Sequence, residues 1–265
     1  MDSNPSEPLT AKQRLSILGT GAAWLLGIRA ALLILAGVLG SSPLPEAVLG
    51  ALIVDLATGR AGLPWSEDDL KRGEALRRAM LGAGVGAGVA ALALGISLAA
   101  GWGTGFAGHA DVTSLMAFVP AGAIAVRDEL LYRGLPLLFA ARAGLPIWTA
   151  VAFGALASPS TFAGGHPSAA AIALAVSNGA LFGTLYVRTK SAWGAVGAHA
   201  AWALVTDMLA RGTLFEVRWG AGELATGEAA AGPPAFVGAA LALVVTAWLA
   251  LSPRSKEKAV KPAAR

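Results

Sequence analysis

The chain contains no cysteine, so disulfides, zinc–thiolate sites and cysteine nucleophiles are all excluded. Charge is scarce as well. Asp, Glu, Lys and Arg make up 14% of residues, against about 25% in an ordinary soluble domain. The chain shows no internal repeat, which withholds support from inverted-repeat transporter architectures. What is abundant is apolar surface: 55% of the 265 residues are hydrophobic and the mean hydropathy is +0.64. A chain this apolar is a polytopic membrane protein, and its apolar segments are dense enough to form one bundle.

About 20 apolar residues cross a bilayer as a helix. Eight segments qualify as all-α spans: roughly 17–39, 44–58, 79–101, 112–141, 144–158, 168–187, 191–210 and 234–252. The second and fifth are short, and a seven-span count stays open on length alone. Charge favours eight. Lys12 and Arg14 precede the first span, and Lys71, Arg72, Arg77 and Arg78 follow the second. Arg142 follows the fourth, Arg188 and Lys190 the sixth, and the tail Arg254 to Arg265 the eighth. With eight spans each of these clusters lies on the cytoplasmic side, as the positive-inside rule requires. Both termini are then cytoplasmic, in a multi-pass protein of the bacterial cytoplasmic membrane. The expected organisation is a tail at 1–16, a bundle at 17–252 and a basic tail at 253–265. The polar N-terminus reads as the start of a retained anchor, because no small-residue cleavage site follows a compact apolar core.

The net charge of +4 and pI near 9.8 do not indicate a nucleic-acid partner, since the basic residues sit in short loops and the tail. The partner expected from composition is the lipid bilayer. The stretch from Glu67 to Arg78 reads as a mixed-charge helix at the cytoplasmic surface, and Arg211 to Pro233 as a Gly-rich outer loop without a core. Gly82, Gly84, Gly86 and Gly88 do not form GxGxxG in either register, and small residues at four-residue spacing permit close helix packing. Arg29 and Asp55 are intramembrane charges with a structural role expected. His109 and His166 fall in loops.

One stretch stands apart. Asp128-Glu129-Leu130-Leu131-Tyr132-Arg133-Gly134 places two carboxylates and an arginine inside the fourth span. Such groups cost about 2.5–3.5 kcal/mol each at mid-helix, so they persist with a partner or a task. Glu129 and Arg133 are four residues apart and can pair on one helical face. His199 lies in the seventh span, nine residues past Lys190 and so about 13 Å from that end at ~1.5 Å per residue. A carboxylate and an imidazole brought together there can activate water for hydrolysis, with Arg133 fixing the carboxylate's rotamer. Without further information the same groups also suit a buried polar network tying the fourth and seventh helices together.

These residues resemble the CPBP family, which includes the type II CAAX prenyl proteases and the bacteriocin-processing or self-immunity (Abi) proteins. The family's first motif, EExxxR, is matched by Asp128-Glu129 with Arg133. The segment Leu185 to Trp193 leads to His199 at the expected distance, as in the family's third motif, HxxxN or HxxxD. The resemblance covers about residues 112–207. It departs at three points: Ala157 stands where the second motif, FxxxH, has histidine, Ala203 stands where the third has Asn or Asp, and Asp128 replaces a glutamate. The shorter side chain shifts the carboxylate by about 1 Å, a displacement able to cost about 100-fold in rate. His166 and Asp207 are too far along the chain to be ready replacements. The sequence holds no HExxH, GxGD or GxSG, so zinc, aspartyl-dyad and serine chemistries are out.

The resemblance implies an endopeptidase cutting near the membrane surface, on a prenylated CaaX-like or leader-peptide substrate, from a cavity open toward the cytoplasm. It assigns water activation to Asp128 and Glu129, orientation or oxyanion stabilisation to His199, and support of the carboxylates to Arg133. The alternative it leaves is a pseudoprotease that binds a peptide or confers immunity without cutting. No cofactor is firmly implied. A divalent metal has weak support, because one histidine in the site argues against tightly held zinc.

Overall fold

The computed structural model describes residues 9–40, 42–67, 71–109, 118–162, 166–210 and 212–253. The basic tail from Arg254 and the first residues of the expected fourth span, 112–117, lie outside these. The described residues form eight helices in the order expected. They are α1 (Ala11–Leu39), α2 (Pro43–Arg60), α3 (Arg72–Ala99), α4, α5 (Ile147–Ala157), α6 (Ala169–Thr189), α7 (Ala192–Ala203) and α8 (Gly232–Leu251). Helix α4 is composite: an α segment Phe118–Glu129, a π turn Leu130–Gly134 and a second α segment Leu135–Arg142. A second π segment, Leu204–Leu209, extends α7. Four helices are long and apolar enough to cross a membrane by length and composition alone: α1, α3 from Gly73, α6 and α8.

Local chemistry sets the ends. Thr10 and Gln13 close a capping box at the start of α1, satisfying two of its orphan N–H groups. Ser168 caps α6 by accepting from the Ala171 N–H at 3.0 Å, and Ser191 caps α7 by accepting from the Trp193 N–H at 3.2 Å. Lys190, between them, turns the chain in the left-handed region (φ 50°).

The core sits on α6, 72% of whose apolar window is buried, while α1 is peripheral with 6%. Helices α3 and α7 approach backbone to backbone. A Cβ at Gly82 would land on the Gly194 carbonyl, one at Gly86 on the Ala198 carbonyl, and one at Gly197 on the Ala79 carbonyl. The glycines of α3 are therefore packing residues, as small residues in membrane helices commonly are. Arg29 donates to the Ser160 carbonyl at 2.9 Å, and Asp55 accepts from the Trp65 indole at 2.7 Å, so both intramembrane charges do structural work.

Two expectations are corrected. The segment after Arg211 is not coreless: β2 (Phe215–Trp219) pairs antiparallel with β1 (Gly103–Ala107), with Gly103 opposite Trp219 and Ala107 opposite Phe215. Val217, Leu224, Ala225 and Ala230 are buried there. The Glu67–Arg78 stretch is not a separate surface helix. Its latter part opens α3, and Arg78 donates to the Thr189 carbonyl.

The two ends of the bundle differ. At the end carrying Arg142, Arg188 and Lys190, residues 63–67 lie across the α6–α7 turn. The Ala192 N–H donates to the Trp65 carbonyl at 2.9 Å, Ser66 forms a β-bridge with Ser191, and the rings of Trp65 and Trp193 lie 4.6 Å apart. Leu63 fills the space beside Gly134, where a Cβ would meet its Cδ2.

Candidate active site

The π turn begins directly after Glu129. It lets the Leu135 N–H reach the Leu130 carbonyl, five residues back, a geometry often found at functional sites. It also presents Arg133 to the bundle interior. Helices α5 and α6 make room for that side chain with Gly154 and Gly179, where added Cβ atoms would collide with the Tyr132 carbonyl and with the Ser158 hydroxyl.

Glu129 and His199 meet across the bundle. The imidazole Nδ1 lies 2.9 Å from Glu129 Oε1, and Arg133 Nη1 lies 3.3 Å from the same oxygen. Glu129 is fully buried and Arg133 is 4% exposed. A carboxylate only accepts hydrogen bonds, so Nδ1 donates and neutral His199 keeps its lone pair on Nε2. Arg133 also donates from Nη2 to the Ser158 hydroxyl at 2.8 Å and from Nη1 to the Asp128 carbonyl at 3.4 Å. Ser158 in turn donates to the Gly154 carbonyl at 2.9 Å. Phe182 contacts both His199 and Arg133: its ring stacks on the imidazole with centroids 5.1 Å apart, and the guanidinium sits 5.9 Å from its centroid. Glu129 Oε2 has no hydrogen-bond partner among the described residues.

Asp128, by contrast, faces a cavity of about 510 Å³ lined also by Arg133, Ser158, Asn178, Phe182, His199 and Ala203. Its Oδ1 accepts from Arg127 Nε at 2.8 Å. The described lining includes Asp128 but not Glu129, so the adjacent carboxylates have different surroundings: one at the cavity, one behind the imidazole. A cavity of this size, with few convergent polar groups on apolar walls, has the character of a ligand site.

The described lining of the cavity includes no residue from the end carrying Arg142 and Lys190, the side on which the sequence reading sets its mouth. Its walls come from the other ends of the helices: Pro120 and Ala121 of α4, Thr161 and Phe162 after α5, Asp207 after α7, and the loop at Thr226–Glu228. The Asp207 carboxylate accepts from the Thr226 N–H at 3.0 Å and from the Thr226 hydroxyl. It therefore pins a wall of the cavity. His166 is outside the lining residues, and Ala203 puts only a methyl group there.

Asn178 was not singled out by the sequence. It lies on α6 at 9% exposure, lines the cavity, and its Oδ1 has no partner among the described residues. The adjacent polar pair Ser177-Asn178 in an otherwise apolar span was the available signal. Among the described residues no three His, Asp or Glu side chains are grouped to hold a metal ion; Asp128 and His199 border the cavity, and Asp207 and Glu228 lie elsewhere in its lining.

Residues 110–205 match the family model of the Type II CAAX prenyl endopeptidase Rce1-like proteins. No curated protein and no solved structure matches. The matched segment carries Asp128, Glu129, Arg133, Asn178 and His199, and over it the chain is similar to the Rce1-like proteins.

Proposed function

We propose that the protein is a multi-pass endopeptidase of the bacterial cytoplasmic membrane, with eight spans and cytoplasmic termini, that hydrolyses a peptide bond in the cavity. The observation that carries this reading is the Glu129–His199 hydrogen bond beside Asp128. A buried carboxylate that fixes the Nδ1–H tautomer leaves Nε2 free to accept a proton, the logic of carboxylate-oriented histidines in hydrolases. His199 takes a proton from water held by Asp128, and the hydroxide adds to the carbonyl carbon. Arg133 and the Asn178 amide donate to the developing oxyanion. The imidazolium, stabilised by Glu129, then returns the proton to the leaving amine. Glu129 is on this account a positioning residue, and Asp128, His199, Arg133 and Asn178 are the catalytic residues. A metal, if the reaction uses one, would be held by Asp128 and His199 and would polarise the carbonyl or the water.

The substrates to test are a prenylated CaaX-type reporter and a panel of leader peptides, with Glu129→Ala and His199→Ala as controls. Cleavage lost in both variants is the expected result. Absence of cleavage above the variants in folded protein would support the pseudoprotease alternative, which the methyl groups of Ala157 and Ala203 favour.

A further inference from the structure

We infer that the protein holds an anionic phospholipid on the outside of the bundle, with an acyl chain in an apolar groove between α1, the second half of α4 and α5, and its phosphate beside Arg14 and Arg142. The groove has a volume of about 380 Å³ and shares no lining residue with the cavity at Asp128. That size falls within the ~300–1,000 Å³ usual for small-molecule sites. Among its described lining residues Thr149 alone is polar. Gly21 and Phe139 meet in it, where a Cβ on the glycine would stand 2.7 Å from the ring. Leu18, Leu26 and Phe153 are 36%, 66% and 51% exposed on its walls, so the groove faces outward, toward lipid. It follows α1 from Leu18 to Leu26, about 12 Å at ~1.5 Å per residue. An extended hydrocarbon chain fits a slot of this kind. A helix from a partner or a second copy, about 10–12 Å across with its side chains, does not.

Charge at one end of the groove identifies the headgroup. Arg14 lies four residues before Leu18 and seven before Gly21, on the same face of α1. Its Nε is buried and has no hydrogen-bond partner among the described residues. At the end of α4 the Arg142 guanidinium sits 5.4 Å from the centroid of the Phe139 ring, and its Nη2 lies beside Gly62, where a Cβ would meet it. Neither arginine has a carboxylate within ion-pair distance among the described residues. From the Gly21–Phe139 contact, Arg14 is seven residues back along α1 and Arg142 three residues on along α4, about 10 and 5 Å. As an odd and an even span the two helices run antiparallel, so both charges stand toward the basic end. Two guanidinium groups without counter-ions at the end of an apolar slot suit a phosphodiester that carries a hydrocarbon tail. A zwitterionic headgroup brings its own cation, and a prenyl thioether is neutral, so neither answers these charges as well. Leu135 and Pro136, which directly follow the π turn, are walls of the groove. The lipid therefore braces the half of α4 that is joined to Arg133.

This assignment does not depend on peptide hydrolysis and is tested by lipid retention alone. The delipidated full chain, in a neutral detergent, is titrated with dioleoyl phosphatidylglycerol or dioleoyl phosphatidylcholine and read by native mass spectrometry. The anionic lipid should be retained about tenfold more tightly, as two basic side chains near a phosphate allow. Arg14→Gln with Arg142→Gln should remove that preference. Lys71→Gln with Arg77→Gln, which takes two charges from the same end at sites away from the groove, should leave it intact. Arg14→Lys with Arg142→Lys keeps both charges and should keep most of the preference. Ala22→Trp, at an exposed wall position, fills the groove and should abolish tight retention of either lipid. Equal retention of the two lipids overturns the inference, as does an equal loss of preference in the Lys71–Arg77 pair or in the Lys-substituted pair. Undiminished phosphatidylglycerol binding by Ala22→Trp overturns the groove as its seat. Displacement of the phospholipid by a prenylated CaaX reporter overturns the choice of occupant and makes the groove a substrate anchor.

Discussion

Helices α1 and α4 are both apolar by composition, yet the bundle uses them in opposite ways. Helix α1 runs unbroken for 29 residues, carries a capping box and buries Ile28 alone. Helix α4 is interrupted by a π turn, and Asp128, Glu129 and Arg133 are buried along it. The first is held by lipid-facing area and its own backbone bonds. The second is held by neighbours that satisfy its charged groups: His199 from α7, Ser158 after α5 and Arg127 on its own first segment. Regularity marks the outer helix here, and irregularity marks the helix that carries the buried charges. An ion pair set inside a bundle is sensitive to loss of one member, because the remaining charge is left without compensation.

That contrast can be broken most directly at Glu129. Glu129→Ala should strand Arg133 and His199, cost about 3–5 kcal/mol of stability as for other broken buried pairs, and abolish cleavage. Thermal unfolding in detergent and a peptide-cleavage assay read the two effects. Glu129→Gln keeps an acceptor beside Nδ1 but leaves the Arg133 charge uncompensated, so it should restore only part of the thermal stability while kcat remains depressed with little change in KM. Asp128→Asn comes next: loss of the cavity-facing carboxylate should lower kcat about 10²–10⁴-fold, with a smaller loss of melting temperature than Glu129→Ala because Asn keeps an acceptor for the part-exposed Arg127. Equal losses of stability for Asp128→Asn and Glu129→Ala would show that the two carboxylates are not divided as described.

The α3–α7 contact ranks third. Gly86→Val drives a side chain against the Ala198 carbonyl, and overpacking of this kind costs about 1–3 kcal/mol, again read as a lowered unfolding midpoint. Gly84→Val, where a Cβ meets nothing within 4 Å, is the matched control. Asn178→Leu should slow cleavage about 10²–10³-fold, the range for loss of one oxyanion donor, without lowering stability, since the amide oxygen it removes has no partner. The smallest effect belongs to the outer helix. Leu33→Ala, at a position 63% exposed in α1, should change the free energy of unfolding by less than about 0.5 kcal/mol, as substitutions away from packed features do.

Much of this architecture was legible because membrane helices announce themselves by length and apolar composition. The eight predicted segments and the eight helices coincide within a few residues at most ends, apart from α1 and α3, which start earlier along polar residues, and α4, whose described part starts later. The Glu129–Arg133 pair followed from four-residue spacing. The sequence reading brings a carboxylate of this stretch and His199 together without choosing which carboxylate; in the structure it is Glu129 that lies 2.9 Å from the imidazole. What composition could not carry was phase. Nothing in Leu130–Gly134 announces a π turn, so the sequence treated Asp128 and Glu129 as one functional pair when they have separate surroundings. The β1–β2 pairing joins two five-residue strands remote in sequence, too short and too Gly-rich for alternation to be seen. Which helix ends wall the cavity depends on Asp207 and Thr226, whose contact is tertiary. Asn178 was passed over because one amide among apolar residues carries no spacing signal.

The π turn has an evolutionary and engineering corollary. A π turn accommodates one residue more than the α-helix it interrupts, so the halves of α4 are out of step by one residue, about 100° of rotation at 3.6 residues per turn. Deleting a single residue within Leu130–Gly134 would restore regular winding and swing Leu135–Arg142 around relative to Asp128 and Glu129. The same helix thus holds two independent azimuths, one set by the site and one by the apolar packing of its second half. Sequence drift in either half is uncoupled from the other so long as the inserted residue remains.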